Sequence, residues 1–199
     1  MSSPSNQEMI YETIVTTLDE FGQPYIAPFG IRESNGFILI APFKPSQTLD
    51  NVIRSKSAVL NLVDDVRIFA GAFVGKRDWP ILKASVVHGV YLNAALVHRE
   101  LELVEIKDHE TRPELYFRVV YEVNHQPFKG FNRAQAAVVE LAVLVSRLHM
   151  LTIEKIESEM MYLQIAIDKT AGPRELEAWG WLLERIENHK AELSGSNIA

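Results

Sequence analysis

The hydrophobic periodicity of the chain changes once, near Gly130. Before this residue, short segments alternate apolar and polar positions; in ELYFRVVYEV, residues 114–123, every second side chain is apolar. A period of two is typical of a half-buried β-strand. After Gly130, three segments rich in Ala, Leu, Glu and Met repeat apolar residues at helical spacing. The sequence therefore predicts a mainly β fold with a C-terminal α part made of three helices.

Polar turns divide the first part of the chain into antiparallel strands. The segment DEFG at 19–22 supplies turn residues, and the Asn35-Gly36 pair favours the positive φ of a tight hairpin. We expect strands at 9–18, 24–32, 37–42, 58–63, 84–92, 99–106 and 114–123, with one helix at 46–55. Because closure removes exposed sheet edges, six or seven such strands favour a closed or nearly closed barrel.

The expected domain organisation is a β-barrel at 8–128, a helical extension at 129–190 and a disordered tail at 191–199. No internal repeat or long linker separates the first two parts, so we expect the helices to pack on the barrel or on a second subunit. The third helix is expected to begin at Pro173, because proline is favoured in the first turn of a helix.

Composition excludes several classes of function. The net charge of −6 leaves no basic stripe for nonspecific nucleic-acid binding. The chain has no cysteine, so it has no disulfide, thiolate metal site or cysteine nucleophile. The first thirty residues lack the order of a secretory signal, and no apolar run reaches the roughly 18 residues of a membrane span. We expect a soluble, cytoplasmic protein.

The segment APFKPSQT, residues 41–48, leads from a strand into a helix. The first backbone N–H groups of a helix lack intrahelical partners and lie at the positive end of its dipole. Hydroxyl groups on Ser46 and Thr48 could therefore bind a phosphate together with these amides. The alternative is that they only cap the helix, which is the commoner role of Ser and Thr there.

A polar stripe follows the helix predicted at 132–148. Arg133, Glu140 and Arg147 recur every seven residues on an otherwise apolar helix, so they lie near one face. An arginine buried without a partner costs several kcal/mol. The stripe is therefore either a structural network of ion pairs or a site for an anionic ligand, and Gly130, Phe128 and Phe131 on the preceding loop favour the ligand somewhat.

The remaining motifs give weaker evidence of function. GAFVGKR at 71–77 resembles a P-loop but has one residue too few between its glycines and lacks the Ser or Thr that binds magnesium. The six histidines never fall at the i, i+4 spacing of a helical zinc site, so no metal site is predicted. Asp64 and Asp65 are interpreted as a turn or helix start, and Trp179 and Trp181 as packing residues.

Several segments together resemble a known family. APFGIR, PFKPSQTLDN, NLVDDV and PFKGFNRAQAAVVELAVLVSRL are similar to an uncharacterised family of flavin-binding proteins from archaea and bacteria, catalogued as a domain of unknown function. That family is related to the split barrels that resemble pyridoxamine 5'-phosphate oxidase. The likeness spans roughly residues 9–190. It implies an FMN-binding split barrel, with a homodimer that holds the flavin between subunits.

The resemblance also implies roles for individual residues. The backbone of Ala27, Pro28, Phe29, Gly30 and Ile31 would lie along the isoalloxazine ring, and Pro42 and Phe43 would extend that wall. Ser46, Gln47 and Thr48 would hold the phosphate, and Asn61 would bond to the ring edge. The oxidases' Ser-Arg-Lys run is replaced here by Ser46-Gln47-Thr48. Cations must therefore come from elsewhere, and the candidates are Lys44, Arg133 and Arg147, in this subunit or the other.

Function remains open between alternatives at this stage. Because the flavin itself accepts hydride or electrons, the protein need only orient it and shape a substrate pocket. A flavin-dependent oxidoreductase or flavin reductase acting on a small molecule is expected, with His88, Tyr91 and Asp65 as candidate acids. The alternatives are a non-catalytic flavoprotein that stores or senses FMN, and the same fold binding a deazaflavin or a haem, for which His88 is the conceivable ligand.

Overall fold

The structure is a computed structural model that describes residues 8–196. The chain folds as two units. The first contains the chain up to Val63 and Trp79–Pro127, and the second contains Asp64–Asp78 and the chain from Phe128 onwards. The second unit resumes at Phe128, one residue before the predicted start of the helical extension, and it also contains residues 64–78, which were assigned to the barrel from the sequence.

The first unit is a closed antiparallel barrel of six strands. Its strands pair in the order β1, β2, β3, β8, β7, β4, and β4 pairs with β1 to close the barrel. A separate two-stranded sheet, β5 and β6, and the helix α1 complete the unit. The elements are β1 Tyr11–Leu18, β2 Pro24–Ser34, β3 Phe37–Ile40, α1 Gln47–Ser55, β4 Ser57–Leu62, β5 Ile81–Lys83, β6 Val90–Leu92, β7 Val97–Lys107 and β8 Glu114–Asn124.

The two predicted turns form the first two hairpins. In the β1–β2 turn, Asp19 Oδ1 accepts hydrogen bonds from the N–H groups of Phe21 and Gln23 at 2.9 and 2.8 Å. In the β2–β3 turn, Asn35 and Gly36 have φ of 51° and 81°. Two consecutive residues with positive φ define the tight turn that matches strand twist. This turn sets the register in which Ser34 pairs with Phe37 and Ile31 pairs with Ile40.

Every second strand residue points into the barrel. The core consists of buried aliphatic residues and one phenylalanine from the barrel strands, joined by two residues of α1: Val15, Ile31, Ile38, Ile40, Leu49, Val52, Ala58, Leu60, Leu101, Leu115 and Phe117. The predicted period of two in 114–123 is confirmed for the first half of the segment, because Leu115 and Phe117 are fully buried whereas Arg118 is exposed; Tyr121, predicted on the buried face, is 39% exposed. Helix α1 is thereby anchored to the barrel by its apolar face.

The strand predicted at 84–92 is confirmed only at its end, residues 90–92 of β6. Residues 84–89 form a loop between β5 and β6, and Val86 is 61% exposed. Three buried side chains hold this hairpin on the barrel, and we name them the hairpin clamp: Thr16 donates to Val90 O at 2.5 Å, Asn61 Oδ1 accepts from Leu92 N at 2.8 Å, and Glu100 accepts from the loop. Strands β5 and β6 pair with each other, and the groups of Val90 and Leu92 that face the barrel are bound by side chains of other strands.

The second unit packs four helices around one core. They are α2 Arg67–Phe73, α3 Arg133–Val145, α4 Ile153–Thr170 and α5 Pro173–Ser196. The buried residues of this core include Val66, Ala70, Ala137, Val138, Leu141, Ala142, Ile156, Ile167, Ala178, Trp179, Leu182 and Ile186. The three predicted C-terminal helices are confirmed, whereas α2 was missed because its segment has only seven residues. Trp179 packs in this core, and its indole N–H donates to Gln164 Oε1 at 3.1 Å.

Helix α5 begins where the sequence predicted and ends later. Pro173 is its first residue, and Glu175 accepts a hydrogen bond from Gly172 N at 3.0 Å, as in a capping box. The helix continues to Ser196. Residues 191–196 are thus helical and not the predicted disordered tail, since Leu193 extends the helical repeat; residues 197–199 lie outside the described residues.

Candidate functional site

The segment between β3 and α1, residues 41–48, makes a sharp change of direction that we name the β3–α1 corner. Pro42 is buried, Phe43 is 65% exposed, and the Lys44–Pro45 peptide bond is cis. Ser46 is the N-cap of α1, and its Oγ accepts from Leu49 N at 3.3 Å. The predicted capping role of Ser46 is therefore confirmed, while its carbonyl accepts from Asp50 N at 3.1 Å.

The first two amides of α1 and the Thr48 hydroxyl are available for a ligand. No hydrogen bond from the N–H of Gln47 or Thr48, or from the Thr48 hydroxyl, is found within residues 8–196. Thr48 is only 1% exposed, yet no fully buried polar side-chain atom of the described residues lacks a partner. The Thr48 hydroxyl therefore keeps a contact with solvent. Unpaired N–H groups at a helix N-terminus, together with such a hydroxyl, suit an anion.

Buried hydrogen bonds fix the position of α1. Asn51, fully buried, donates to Thr17 Oγ1 on β1 at 2.9 Å and accepts from Gln47 Nε2 at 2.9 Å. Arg54 donates to Asn51 Oδ1 at 3.2 Å and to Leu18 O. Helix α1 is thus tied to β1 by polar contacts as well as by its apolar face, so the corner has a defined geometry.

Two cations lie at the β3–α1 corner. The predicted candidate Lys44 is committed to the β7–β8 turn, because its Nζ lies 2.9 Å from both Asp108 Oδ1 and His109 O. Arg112 was not predicted. Its guanidinium lies over the Phe43 ring, 4.6 Å from the centroid, and donates to Ala41 O at 3.0 Å. Arg112 forms no ion pair with the residues that the structure describes, so its charge is available beside the corner.

An unpaired edge of β2 lies next to the corner. The Phe29 carbonyl accepts from Thr13 Oγ1 at 2.9 Å and so faces β1. Because backbone groups alternate between the two edges of a strand, the carbonyls of Pro28 and Gly30 and the N–H of Gly30 face the side of β3. Strand β3 pairs with β2 only over residues 31–34. Beyond this pairing, no hydrogen bond from the N–H of Gly30 or to the carbonyl of Pro28 is found within the described residues.

The prediction for Asn61 disagrees with the structure. Its side chain is fully buried and donates to Ile14 O, Thr16 Oγ1 and Val59 O, each at 3.2 Å. Its Oδ1 accepts from Leu92 N. These contacts occupy its hydrogen-bonding groups, so Asn61 belongs to the hairpin clamp and has nothing left for a ring edge.

A cluster of aromatic and titratable side chains lies where β6, β7 and β8 meet. His98 Nδ1 lies 2.7 Å from His125 Nε2, and His98 Nε2 lies 3.4 Å from Glu100 Oε1. Tyr91 stacks on both imidazoles, with centroids 4.0 and 5.1 Å apart and interplanar angles of 9° and 8°. Glu100 accepts from the N–H groups of residues 85–87 at 2.6, 2.6 and 2.7 Å. Sequence reasoning missed this cluster apart from Tyr91.

The described residues include neither a membrane-spanning helix nor a cluster of metal ligands. Within residues 8–196 no helix combines the length and apolar character needed to cross a membrane. Over the same range, no three His, Asp or Glu side chains are placed together to hold a metal ion.

Family models match most of the chain. The N-terminal domain of the family described as "Protein of unknown function (DUF447)" matches residues 11–126, and the second domain of that family matches residues 132–184. The chain belongs to the DUF447 family. The resemblance predicted from the sequence is confirmed, and the domain boundary of the family agrees with the end of the barrel.

Solved structures share the fold of this DUF447 chain. An FMN-bound DUF447 protein from Methanosarcina mazei is 21% identical, with a TM-score of 0.77 over 90% of this chain and 96% of that chain. Flavoredoxin from Methanosarcina acetivorans is 11% identical, with a TM-score of 0.52 over 63% and 75%. The 2-nitrobenzoate 2-nitroreductase of Pseudomonas fluorescens is 19% identical, with a TM-score of 0.51 over 61% and 67%. The predicted split-barrel fold is confirmed. No curated protein matches the chain.

The predicted polar stripe of this DUF447 chain is exposed, and its last residue, Arg147, lies beyond the end of α3. Arg133, Glu140 and Arg147 form no ion pair with the described residues, so the predicted structural network is absent from this part of the chain. Arg133 and Glu140 flank a groove of about 300 Å³ between α3 and α4. Its apolar lining comes from Ala136, Ala137, Leu163, Ile165 and Ala166, with Tyr162 beside them.

Because Arg133 is exposed, its replacement is expected to have little effect on stability. Arg133→Met is expected to change the free energy of unfolding by less than about 0.5 kcal/mol, as for other exposed side chains without partners. The matched control is Arg67→Met, because Arg67 lies 2.7 Å from the buried carboxylate of Asp65 and 3.0 Å from Glu177. Its loss is expected to cost about 2 kcal/mol. Chemical denaturation measures both; a loss above 1 kcal/mol for Arg133→Met would restore the structural interpretation.

The predicted acid candidates have different surroundings. Asp65 is buried, pairs with Arg67 and Arg174, and accepts from Arg67 N at 3.2 Å at the start of α2, which is a structural role. His88 is exposed in the β5–β6 loop, where its carbonyl accepts from Ser57. Only Tyr91 joins a cluster of titratable groups. The signal that could have revealed its partners is the alternation in VHRELEL, which places His98 and Glu100 on one face of a strand.

Proposed function

We propose that this DUF447 protein binds FMN, with the phosphate at the β3–α1 corner and the ring along the unpaired edge of β2. The observation that carries the proposal is the N-terminus of α1, where two amides and the Thr48 hydroxyl have no partner among the described residues. The fold, and the FMN bound in the Methanosarcina mazei relative, support it.

The residues present fit a phosphomonoester. Backbone N–H groups of Gln47 and Thr48 and the hydroxyls of Ser46 and Thr48 are donors of the kind that helix N-termini offer to phosphate. Arg112, next to Phe43, supplies a cation in place of the basic run that the oxidases carry. The roles predicted for Arg133 and Arg147 lie in the helical unit and stay predictions.

The residues also fit the polar edge of a flavin ring. The N–H of Gly30 is a donor and the carbonyl of Pro28 is an acceptor, and neither has a hydrogen-bond partner among the described residues. Both lie on the same edge of β2. The remaining predicted wall residues, Ala27, Phe29, Ile31, Pro42 and Phe43, surround this edge or the corner. When bound, the flavin would supply the hydride or electron transfer, while this chain orients it and limits access of water.

The activity that we propose is reduction or oxidation of a small molecule, with a reduced nicotinamide nucleotide as the electron donor to test. It is supported by the flavoredoxin and the nitroreductase, which share the fold. Extraction of the bound ligand and its absorption spectrum distinguish FMN from a deazaflavin or haem. Repeated bleaching and reoxidation of the yellow protein by NADH or NADPH would support an enzyme, and a single unreduced state with every donor would support a storage protein.

We further propose a homodimer that covers the flavin. Met9, Ile10 and Tyr11 at the start of β1 are 67%, 54% and 47% exposed, although they are large and apolar. Ile10 lies against Gly30, where an added Cβ would come within 2.8 Å of its Cγ2. An apolar strip beside the proposed ring edge suits burial against a second copy. Sedimentation velocity with and without FMN tests the proposal, and a monomer in both would contradict it.

Thr48→Val tests the phosphate contact. The substitution keeps the branched shape and removes the hydroxyl, so FMN affinity is expected to fall about tenfold, the value of one hydrogen bond to a charged group. Riboflavin affinity, which involves no phosphate, is expected to stay within twofold. Fluorescence titration with both ligands measures the difference.

Ser55→Ala at the other end of α1 is the matched control, because Ser55 Oγ donates to Ser57 O and lies away from the corner. Its affinity for FMN is expected to equal that of the wild type. If Thr48→Val weakened riboflavin and FMN equally, the phosphate would not lie at the corner.

A further inference from the structure

A chain of hydrogen bonds leads from a buried carboxylate to an exposed imidazole in the first unit. It runs from Glu100 Oε1 to His98 Nε2 at 3.4 Å, and from His98 Nδ1 to His125 Nε2 at 2.7 Å. Glu100 and His98 are 0% and 2% exposed, whereas His125 is an exposed residue at the end of β8. The interior of the unit is thus connected to its surface by two imidazole rings.

Because Glu100 is ionised, the positions of the hydrogens in this chain of hydrogen bonds can be assigned. Burial raises the pKa of Glu100, but the N–H groups of Val87, Ser85 and Val86 lower it more, so the carboxyl is ionised at neutral pH. A carboxylate only accepts, so His98 Nε2 carries a hydrogen. In neutral His98, Nδ1 is then an acceptor, and His125 Nε2 is the donor. His125 Nδ1 then carries no hydrogen and keeps a lone pair. It has no hydrogen bond to the described residues.

Ring stacking holds the two imidazoles in line. Their planes differ by 15°, and Tyr91 covers both. Near-parallel rings allow the N–H of one to point along the 2.7 Å axis at the lone pair of the other. A phenylalanine at either position would stack on Tyr91 as well. Packing alone therefore gives no reason for two adjacent titratable rings.

We propose that His125 and His98 form a proton relay, in which His125 Nδ1 takes a proton from a small molecule with an acidic O–H or N–H and the charge is held on His98. In this step the O–H or N–H bond of the donor breaks, and its electron pair stays on the donor. A new N–H bond forms at His125 Nδ1, and the hydrogen on His125 Nε2 passes to His98 Nδ1. His125 ends neutral in its other tautomer, and His98 ends as an imidazolium beside Glu100. The reverse step returns the proton.

The surroundings limit the relay to one proton. Burial, and then the charge on His98, lower the pKa of His125, so a second proton is opposed. The titratable groups that face the two rings are Glu100, Tyr91 and Tyr121, whose ring centroid lies 6.1 Å from that of His98. The Glu100 carboxylate, ionised at neutral pH, stabilises the imidazolium. The relay does not depend on flavin binding.

Nitrogen-15 NMR of histidine side chains in the full chain, recorded against pH, tests the relay. At high pH, both His98 and His125 are expected to carry hydrogen on Nε2. On acidification, one proton is expected per pair: His98 gains hydrogen at Nδ1, and at the same pH the hydrogen of His125 moves from Nε2 to Nδ1. His149, exposed on the helical unit, is the histidine for comparison.

Two variants sharpen the test. In Glu100→Gln, the pH at which the pair takes its proton is expected to fall by one unit or more. In His125→Phe, exchange of the His98 proton with solvent is expected to slow at least tenfold, because its entry point is lost. If either variant does not fold, the wild-type titration decides alone. A protonated His125 with hydrogen on both nitrogens beside a neutral His98, or independent titration of the two rings, would overturn the proposal.

Discussion

Glu100→Gln is expected to lower the free energy of unfolding by about 3 kcal/mol at pH 7, as for other buried charge-assisted hydrogen-bond networks that lose their acceptor. The Glu100 carboxylate receives three backbone N–H groups from the β5–β6 loop. Glutamine keeps one oxygen, but its amide nitrogen cannot accept and would face the N–H groups of Val86 and Val87. Urea denaturation followed by circular dichroism measures the change.

The effect of this substitution depends on pH in a defined direction. Because the pKa of Glu100 is lower in the folded chain, the ionised group stabilises the fold above its unfolded pKa of about 4.3. This stabilisation is lost as the pH falls below that value, so wild type and Glu100→Gln should converge. Glu102→Gln is the control, because Glu102 is exposed on the same strand and its carboxylate pairs with Arg118 across the sheet. A constant difference down to pH 3 would contradict the ionised carboxylate.

Asn61→Asp is expected to destabilise the chain by about 3 kcal/mol or more at neutral pH, although the two side chains have nearly the same shape. The asparagine donates to two backbone carbonyls and to Thr16. An ionised aspartate cannot donate, so it would place a buried negative charge against the oxygens of Ile14 and Val59. Thermal and chemical denaturation at pH 7 measure the loss.

Asn93→Asp provides the matched control for this prediction. Asn93 follows β6 directly and is exposed, so the same change of chemistry is expected to alter the free energy of unfolding by less than about 0.5 kcal/mol. If Asn61→Asp were equally mild, the buried amide would not hold the hairpin, and its predicted role toward a ligand would regain support.

Local chemistry explains which parts of the fold were predictable. The Asn35-Gly36 turn, the Ser46 cap and Pro173 at the start of α5 depend on a few neighbouring residues, and all three are confirmed. Residues 84–92 looked like one apolar strand, because periodicity does not show that the loop N–H groups are bound by Glu100. That contact joins residues far apart in sequence.

The same limit applies to the candidate site. The β3–α1 corner is contiguous, so its hydroxyls could be recognised from the sequence. Arg112 reaches the corner from the β7–β8 turn, and His125 reaches His98 from the end of another strand. The ligand role of Asn61 came from the family resemblance, and a polar side chain in a buried strand needs a partner. The partner is the β5–β6 hairpin, which only the three-dimensional structure reveals.

Residues 64–78 leave the ribosome long before the helices that enclose them. Val66, Ala70 and Phe73 pack in a core whose other members all come after residue 130. A chain cut at residue 128 would display these apolar side chains to solvent in the middle of the barrel sequence. Aggregation of such a fragment would therefore result from the absence of the C-terminal helices. Cutting the protein at residue 128 would separate residues 64–78 from the helices with which they share a core.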